Sequence, residues 1–282
     1  MKKINRTFKK CLITGIAGSG GSYLAEHILK KDKKIKIFGL YRSSTYKKVL
    51  EKKYKKKIKF QKVDLNNYKK VKKLLKTIKP DLIFNFASNA DVRGSFDYPK
   101  EIINNNYNST LNILESVRTL NLKSLFIQCS TSEVYGVVNK KDLPILENQK
   151  MKPVSPYAIS KTFQDLSVQM YSEIYKLNVI ITRMFTYNNP RRTNLFQSSF
   201  ASQIAKIEKN KLKYLSHGNL NSIRSFLDLD DAVEAYWLTA KRGRVGEIYN
   251  IGGSKGFKVG SFLKKLIEFS NKKIKCKLDK KL

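Results

Sequence analysis

The sequence predicts an α/β chain on a doubly wound parallel sheet, followed by a smaller C-terminal lobe. Three observations carry the prediction. Short apolar runs alternate with helix-period segments as far as residue 184. The first run opens into a glycine-rich turn, Thr14-Gly15-Ile16-Ala17-Gly18-Ser19-Gly20-Gly21-Ser22. After residue 185 the alternation gives way to a different rhythm. Strands that are apolar throughout belong to parallel sheets covered by helices on both faces, joined by right-handed crossovers.

The first strand is expected at 11–14. A Lys-rich start precedes it, but the apolar run is too short for a secretory signal and polar glycine-rich sequence follows it. Further strands are expected at 35–40, 58–63, 81–86, 124–129 and 179–184, with helical patterns at 22–31, 68–79, 104–120 and 156–177. Beyond them a loop rich in Asn, Pro and Arg (188–194) leads to a helix and a short strand near 212–216. A turn at 217–221, a helix at 230–241 and a strand at 248–251 complete the pattern. Residues 1–184 are thus expected to form a nucleotide-binding domain and 185–282 a smaller substrate-binding lobe. The Lys-rich stretch 272–282 shows no clear final element, and there are no internal repeats.

At 282 residues and 32.5 kDa, with 41% hydrophobic content, the chain is long and apolar enough for one large domain with a lobe. No apolar run reaches the ~18–20 residues that span a bilayer, so a soluble, cytoplasmic protein is expected. The formal charge of +35 comes from 47 lysines and 10 arginines against 22 acids. Readers of phosphates and bases lean on arginine forks with interleaved aromatics, whereas these lysines crowd the two ends of the chain. The excess reads as a solvated surface that draws anionic ligands, and nucleic acid is not the expected partner. Cys11, Cys129 and Cys276 fall outside any C-x-x-C pattern, and His27 and His217 are the only histidines. No metal site or disulfide is therefore expected.

The spacing of Gly15, Gly18 and Gly21 fits a dinucleotide turn. The first allows the bend, the second lets the backbone approach a pyrophosphate, and the third lets the helix pack on the strand. Ser19 and Gly20 lie between them at the helix N-terminus. A carboxylate at the end of the second strand would take the ribose 2′-OH of NAD. Here the sequence is Gly39-Leu40-Tyr41-Arg42-Ser43-Ser44, whose guanidinium and hydroxyls suit a 2′-phosphate, so NADP is expected. Asp64 and Leu65 are placed beside the adenine, and Phe86, Ala87 and Ser88 along the nicotinamide ribose. Tyr157 and Lys161 share one helix face at i,i+4, where the ammonium lowers the phenol's pKa toward that of a useful base. Their helix follows the fifth strand, which ends Ser130-Thr131-Ser132-Glu133, and the carboxyl edge of such a sheet is where ligands bind.

On these residues the sequence resembles the extended short-chain dehydrogenase/reductase family of nucleotide-sugar enzymes, of the epimerase/dehydratase type. Within it the likeness is nearest to GDP-mannose 4,6-dehydratases. It covers essentially the whole chain, through segments 14–26, 130–136, 155–161, 189–196 and 218–226. The first three carry the superfamily. The Pro190-Arg191-Arg192 loop and the Gly218-Asn219-Leu220 segment narrow it to GDP-sugar members. The resemblance implies a Rossmann fold, with Thr131, Glu133, Tyr157 and Lys161 as the catalytic set. It also puts Arg42, Asp64, Leu65, the 86–90 stretch, Tyr187 and Arg192 on cofactor-contacting positions. Asn194 and Arg224 fall near the diphosphate of the sugar donor, where an arginine makes charge-assisted bidentate bonds.

Thr186 and Tyr187 stand where relatives carry Asn and His, and Ser225 where many carry Asp. Arg42 stands alone where tetrameric relatives use a tandem Arg, so the implied homo-oligomer is a dimer or tetramer. The chain also ends before such enzymes usually do, so part of the substrate lobe is expected to be missing or rebuilt. The expected activity is dehydration of GDP-mannose to GDP-4-keto-6-deoxymannose. Its rivals are a GDP-4-keto-6-deoxymannose reductase and another nucleotide-sugar epimerase or decarboxylase. From another class, the rival is a non-catalytic NADP-binding or nucleic-acid-associated protein that kept the fold.

Overall fold

The computed structural model describes residues 4–42, 46–54, 57–193 and 195–279. The first half runs β1 (Lys10–Thr14), α1 (Ser19–Lys31), β2 (Lys36–Tyr41), α2 (Lys47–Tyr54), β3 (Ile58–Lys62) and α3 (Tyr68–Ile78). It continues with β4 (Leu82–Asn85), α4 (Pro99–Thr119), β5 (Leu125–Thr131), α5 (Pro156–Tyr175) and β6 (Val179–Met184). Then follow α6 (Phe196–Glu208), β7 (Leu215–His217), β8 (Ile223–Ser225), α7 (Leu229–Arg242) and β9 (Ile248–Ile251). The last elements are β10 (Gly256–Lys258), α8 (Val259–Glu268) and β11 (Cys276–Leu278).

Two compact units result. The first comprises the chain through Met184 together with Val233–Ile251, and the second Phe185–Ala232 with Gly252 onward. A single cut at 184/185 assigns everything after it to the smaller lobe. In the structure 233–251 returns to the first unit, because β9 pairs in parallel with β6 from Ile181↔Ile248 to Met184↔Ile251.

In the first unit, seven strands form one parallel sheet in the order β3-β2-β1-β4-β5-β6-β9. This is the doubly wound sheet that the alternation predicts. Every residue from Cys11 to Thr14 on central β1 is fully buried, as a strand covered on both faces requires. One face packs Leu12, Leu75, Ile83, Leu114, Phe126 and Val168 from the strands and helices α3, α4 and α5. Each such burial contributes roughly 1.5–3 kcal/mol. The helix starts are chemically marked. Pro156 occupies the first turn of α5 while Ser155 Oγ accepts from Ala158 N at 3.1 Å, and Asn67 caps α3 through Lys70 N. Both helices stop at a lysine in the left-handed region, Lys79 and Lys176.

The second unit has its own core of Phe200, Ile204, Ile207, Leu215, Val259 and Leu263. Two short sheets accompany it, β8 antiparallel to β10 and β7 parallel to β11. β11 lies in the stretch read as lacking a final element; main-chain pairing with β7 makes it a strand without an apolar signal. No helix of the described residues is long and apolar enough to cross a membrane.

Candidate active site

Strand order reverses between β1 and β4, and a crevice opens there at the carboxyl ends of the strands. Gly15 turns at φ +67°, and a Cβ on it would lie 3.0 Å from Ala87 N and 3.1 Å from the Phe86 carbonyl carbon. A Cβ on Gly21 would lie 2.7 Å from Gly15 O. The turn is therefore closed to side chains, and its backbone is open to a ligand. Helix α1 begins after Gly18 with no side-chain cap and no acid in its first turn, so its dipole meets the crevice unopposed. Ser19 and Gly20 form that first turn. The walls include Gly15, Gly18, Arg42, Asp64, Leu65, Phe86, Ala87 and Ser88 of the sequence-selected cofactor positions of this unit, whereas Ser19, Gly20 and Gly21 are not among the lining residues. Ser43 and Ser44, read with Arg42 as phosphate ligands, lie outside the described residues, as does Asn194.

Arg42 is exposed and donates through Nη1 to Asn105 Oδ1 at 2.8 Å. It makes no ion pair with a carboxylate among the described residues. A glycine cradle, an uncapped helix start and this cation together fit a pyridine dinucleotide.

The same sheet edge carries the sequence-selected candidates for acid–base groups. β5 ends at Thr131, whose Oγ1 accepts from Glu133 N at 3.3 Å and so starts the 3-10 turn Ser132–Tyr135. Glu133 is half-buried, and its carboxylate has no hydrogen-bond or ion-pair partner among the described residues. Lys161 is only 3% exposed and donates to the carbonyl of Cys129 on β5 at 2.7 Å. Burial pulls its pKa down to about 8, while Cys129 and Asp165 act in the opposite direction. Tyr157, one turn earlier on α5, is buried. Its carbonyl accepts from Ser160 Oγ at 2.7 Å, and Ser160 Oγ in turn accepts from Asn106 Nδ2 at 2.9 Å.

A buried ion pair buttresses this edge. Asp165 takes Arg183 Nε at 2.9 Å, Arg183 Nη2 at 3.0 Å and Ser130 Oγ at 3.0 Å. Arg183 Nη1 donates to Tyr135 OH at 2.9 Å, and Tyr135 OH donates to Asn250 Oδ1 on β9 at 2.8 Å. The strand end, the Glu133 turn, α5 and β9 are thereby tied to one guanidinium. Sequence reasoning missed this pair, although it left a signal. Asp165 continues the Tyr157–Lys161 spacing by one more turn, and Arg183 is the lone charge in an apolar strand.

Tyr187, Arg192 and Arg224 belong to the second unit. Buried Asn189 organises the loop that carries Tyr187 and Arg192: its Nδ2 donates to Tyr187 OH at 3.2 Å, and its carbonyl accepts from Arg192 N at 2.9 Å. Arg224 stands on β8 opposite Phe257, exposed, with Nη1 donating to Ile223 O at 3.0 Å.

The profile of a family described as "GDP-mannose 4,6 dehydratase" matches residues 12–281. The GDP-mannose 4,6 dehydratase of Drosophila melanogaster is 33% identical over 246 residues, covering 83% of this chain and 61% of the relative. The chain thus spans about three-fifths of the length of that curated relative. Among solved structures, dTDP-glucose 4,6-dehydratase from Bacillus anthracis in complex with NAD superposes with a TM-score of 0.83. It is 25% identical, covering 96% of this chain and 85% of that one. RMD from Pseudomonas aeruginosa complexed with NADPH superposes at 0.82 with 22% identity and the same coverage, a likeness of fold.

Proposed function

The chain belongs to the GDP-mannose 4,6-dehydratase family, and from that premise we propose that it converts GDP-mannose to GDP-4-keto-6-deoxymannose with NADP as its resident nucleotide. The observation that carries the reading is the half-buried Glu133 carboxylate in the turn after Thr131, on the strand whose Cys129 carbonyl holds Lys161. Oxidation alone needs Tyr157 and Lys161. Elimination needs an additional acid–base group, and Glu133 supplies it.

The Gly15 turn, the start of α1 and Arg42 would hold the nucleotide, which would supply a hydride acceptor and donor for the sugar. Tyr157, as phenolate beside the Lys161 ammonium, takes the proton of the 4-OH. Thr131 Oγ1 already accepts from Glu133 N, which leaves its hydroxyl hydrogen to donate to the 4-oxygen. The 4-ketone acidifies C5–H; Glu133 removes that proton and delivers it to the departing C6 hydroxyl, which leaves as water. Tyr157 returns its proton to C5, so charge and atoms balance. Acid–base groups of this kind contribute ~10²–10⁴-fold each.

Purified protein given GDP-mannose and trace NADP⁺ should form the 4-keto product without net NADPH. Stoichiometric NADPH consumption on the 4-keto sugar would instead make it the reductase. Glu133→Gln should keep nucleotide affinity and lose dehydration by ~10²-fold or more; a variant that still expels water at the wild-type rate removes Glu133 from the mechanism.

A homodimer is the proposed working state. Phe163, Leu166, Met170 and Ile174 form an exposed apolar stripe along α5, and Tyr107 of α4 meets Phe163 edge-on at 5.9 Å. Lys100 and Arg118 are the only basic residues of α4, and Lys161 the only one of α5. In a chain at +35 this is a face on which a second copy escapes like-charge repulsion.

A further inference from the structure

We infer that Asn105 is a positioning residue for nucleotide selectivity: it presents its side-chain oxygen to Arg42, and Asn106 locks it in that orientation. The inference rests on reading the first-unit crevice as an NADP site.

Both asparagines lie on α4. Asn106 is fully buried, and its amide is saturated. Its Oδ1 accepts from Asn89 N at 2.7 Å, and its Nδ2 donates to Asn89 O at 3.0 Å and to Ser160 Oγ at 2.9 Å. A backbone N–H only donates and a backbone carbonyl only accepts, so these partners fix which end of Asn106 is oxygen. The remaining capacity of Oδ1 takes Asn105 Nδ2 at 3.1 Å. With its nitrogen engaged there, Asn105 turns its oxygen to the crevice rim, where it accepts from Arg42 Nη1 at 2.8 Å and Asn66 Nδ2 at 3.3 Å. The far end is equally unambiguous, since a guanidinium only donates. The whole relay can therefore exist in one sense only, with an acceptor facing Arg42.

Arg42 is a long exposed side chain that in isolation samples many rotamers. Held through one of its five N–H groups, its planar fork is set at the crevice wall beside Asp64 and Leu65 before a ligand arrives. A 2′-phosphate then meets a preorganised partner for charge-assisted bonds, whereas a 2′-hydroxyl gains little from it. Asn105 thus acts through Arg42, and its effect falls on the phosphorylated nucleotide alone.

The test is the dissociation constant of NADP⁺ and of NAD⁺, by titration calorimetry, for wild type, Arg42→Ala, Asn105→Ala and Asn105→Asp. Asn105→Ala should weaken NADP⁺ roughly tenfold, the equivalent of one charge-assisted hydrogen bond, and leave NAD⁺ within about twofold. Asn105→Asp puts a carboxylate against the guanidinium and toward the phosphate, and should weaken NADP⁺ further while again sparing NAD⁺. If wild type prefers NADP⁺ and Arg42→Ala abolishes the preference while both Asn105 variants retain it, the Asn105 inference fails and the cofactor reading stands. If wild type binds both nucleotides equally, the cofactor reading fails and the inference with it. Equal weakening of both nucleotides by Asn105→Ala would show a general structural role and also overturn it.

Discussion

Lys161 places a charge where burial disfavours it, with Nζ 2.7 Å from the Cys129 carbonyl and a pKa drawn down to about 8. The folded state therefore binds fewer protons than the unfolded chain between pH 8 and the ordinary value of 10.5. Stability from this group accordingly rises with pH across that window, and its burial penalty is fully present below it. On the proposed mechanism catalysis runs the opposite way, because the ammonium assigned to support a Tyr157 phenolate would be lost as pH rises through about 8. A kcat profile should fall above that pH. The urea-midpoint advantage of Lys161→Met over wild type should shrink between pH 7.5 and 10.5. Gly15→Ala forces a side chain toward Ala87 N at φ +67°, and should lose about 1–3 kcal/mol in urea denaturation together with nucleotide affinity. These residues were legible because their meaning lies in short spacings, three glycines in one turn and a phenol one helical turn from a lysine. Asn105 was not, because its partner Arg42 lies 63 positions away and no local pattern links them.

At the scale of elements, the Asp165–Arg183 pair joins α5 to β6 and, through Tyr135 and Asn250, to β9. Either partner alone would be an uncompensated buried charge, so Asp165→Asn or Arg183→Met should cost about 3–5 kcal/mol by urea denaturation. Replacing both with apolar residues of similar volume should recover most of that loss. If either single variant matches wild type, the network carries no stability. Most of the parallel strands were legible in sequence because they are near-continuous apolar runs, as in β1, β4 and β6. α2 was not: it buries only Leu50 in a Lys-rich octet, so no helical apolar stripe shows. β8, β10 and β11 are three-residue strands, exposed or nearly so, whose existence depends on main-chain partners that periodicity cannot reveal.

For the whole molecule, the net charge of +35 makes self-association unfavourable except where basic residues thin out, as on the outer faces of α4 and α5. Leu166→Glu should convert the proposed dimer to a monomer by light scattering without lowering the circular-dichroism signal of the helices; a wild-type monomer at micromolar concentration would remove that proposal. The return of 233–251 to the first unit has a consequence for dissecting this protein. A fragment excised at residue 184 looks like a natural autonomous module, yet it would leave β6 as a bare edge and strip Asn250 from Tyr135. Such a fragment should precipitate or bind chaperones, and a soluble minimal nucleotide-binding piece would need 233–251 spliced back onto it.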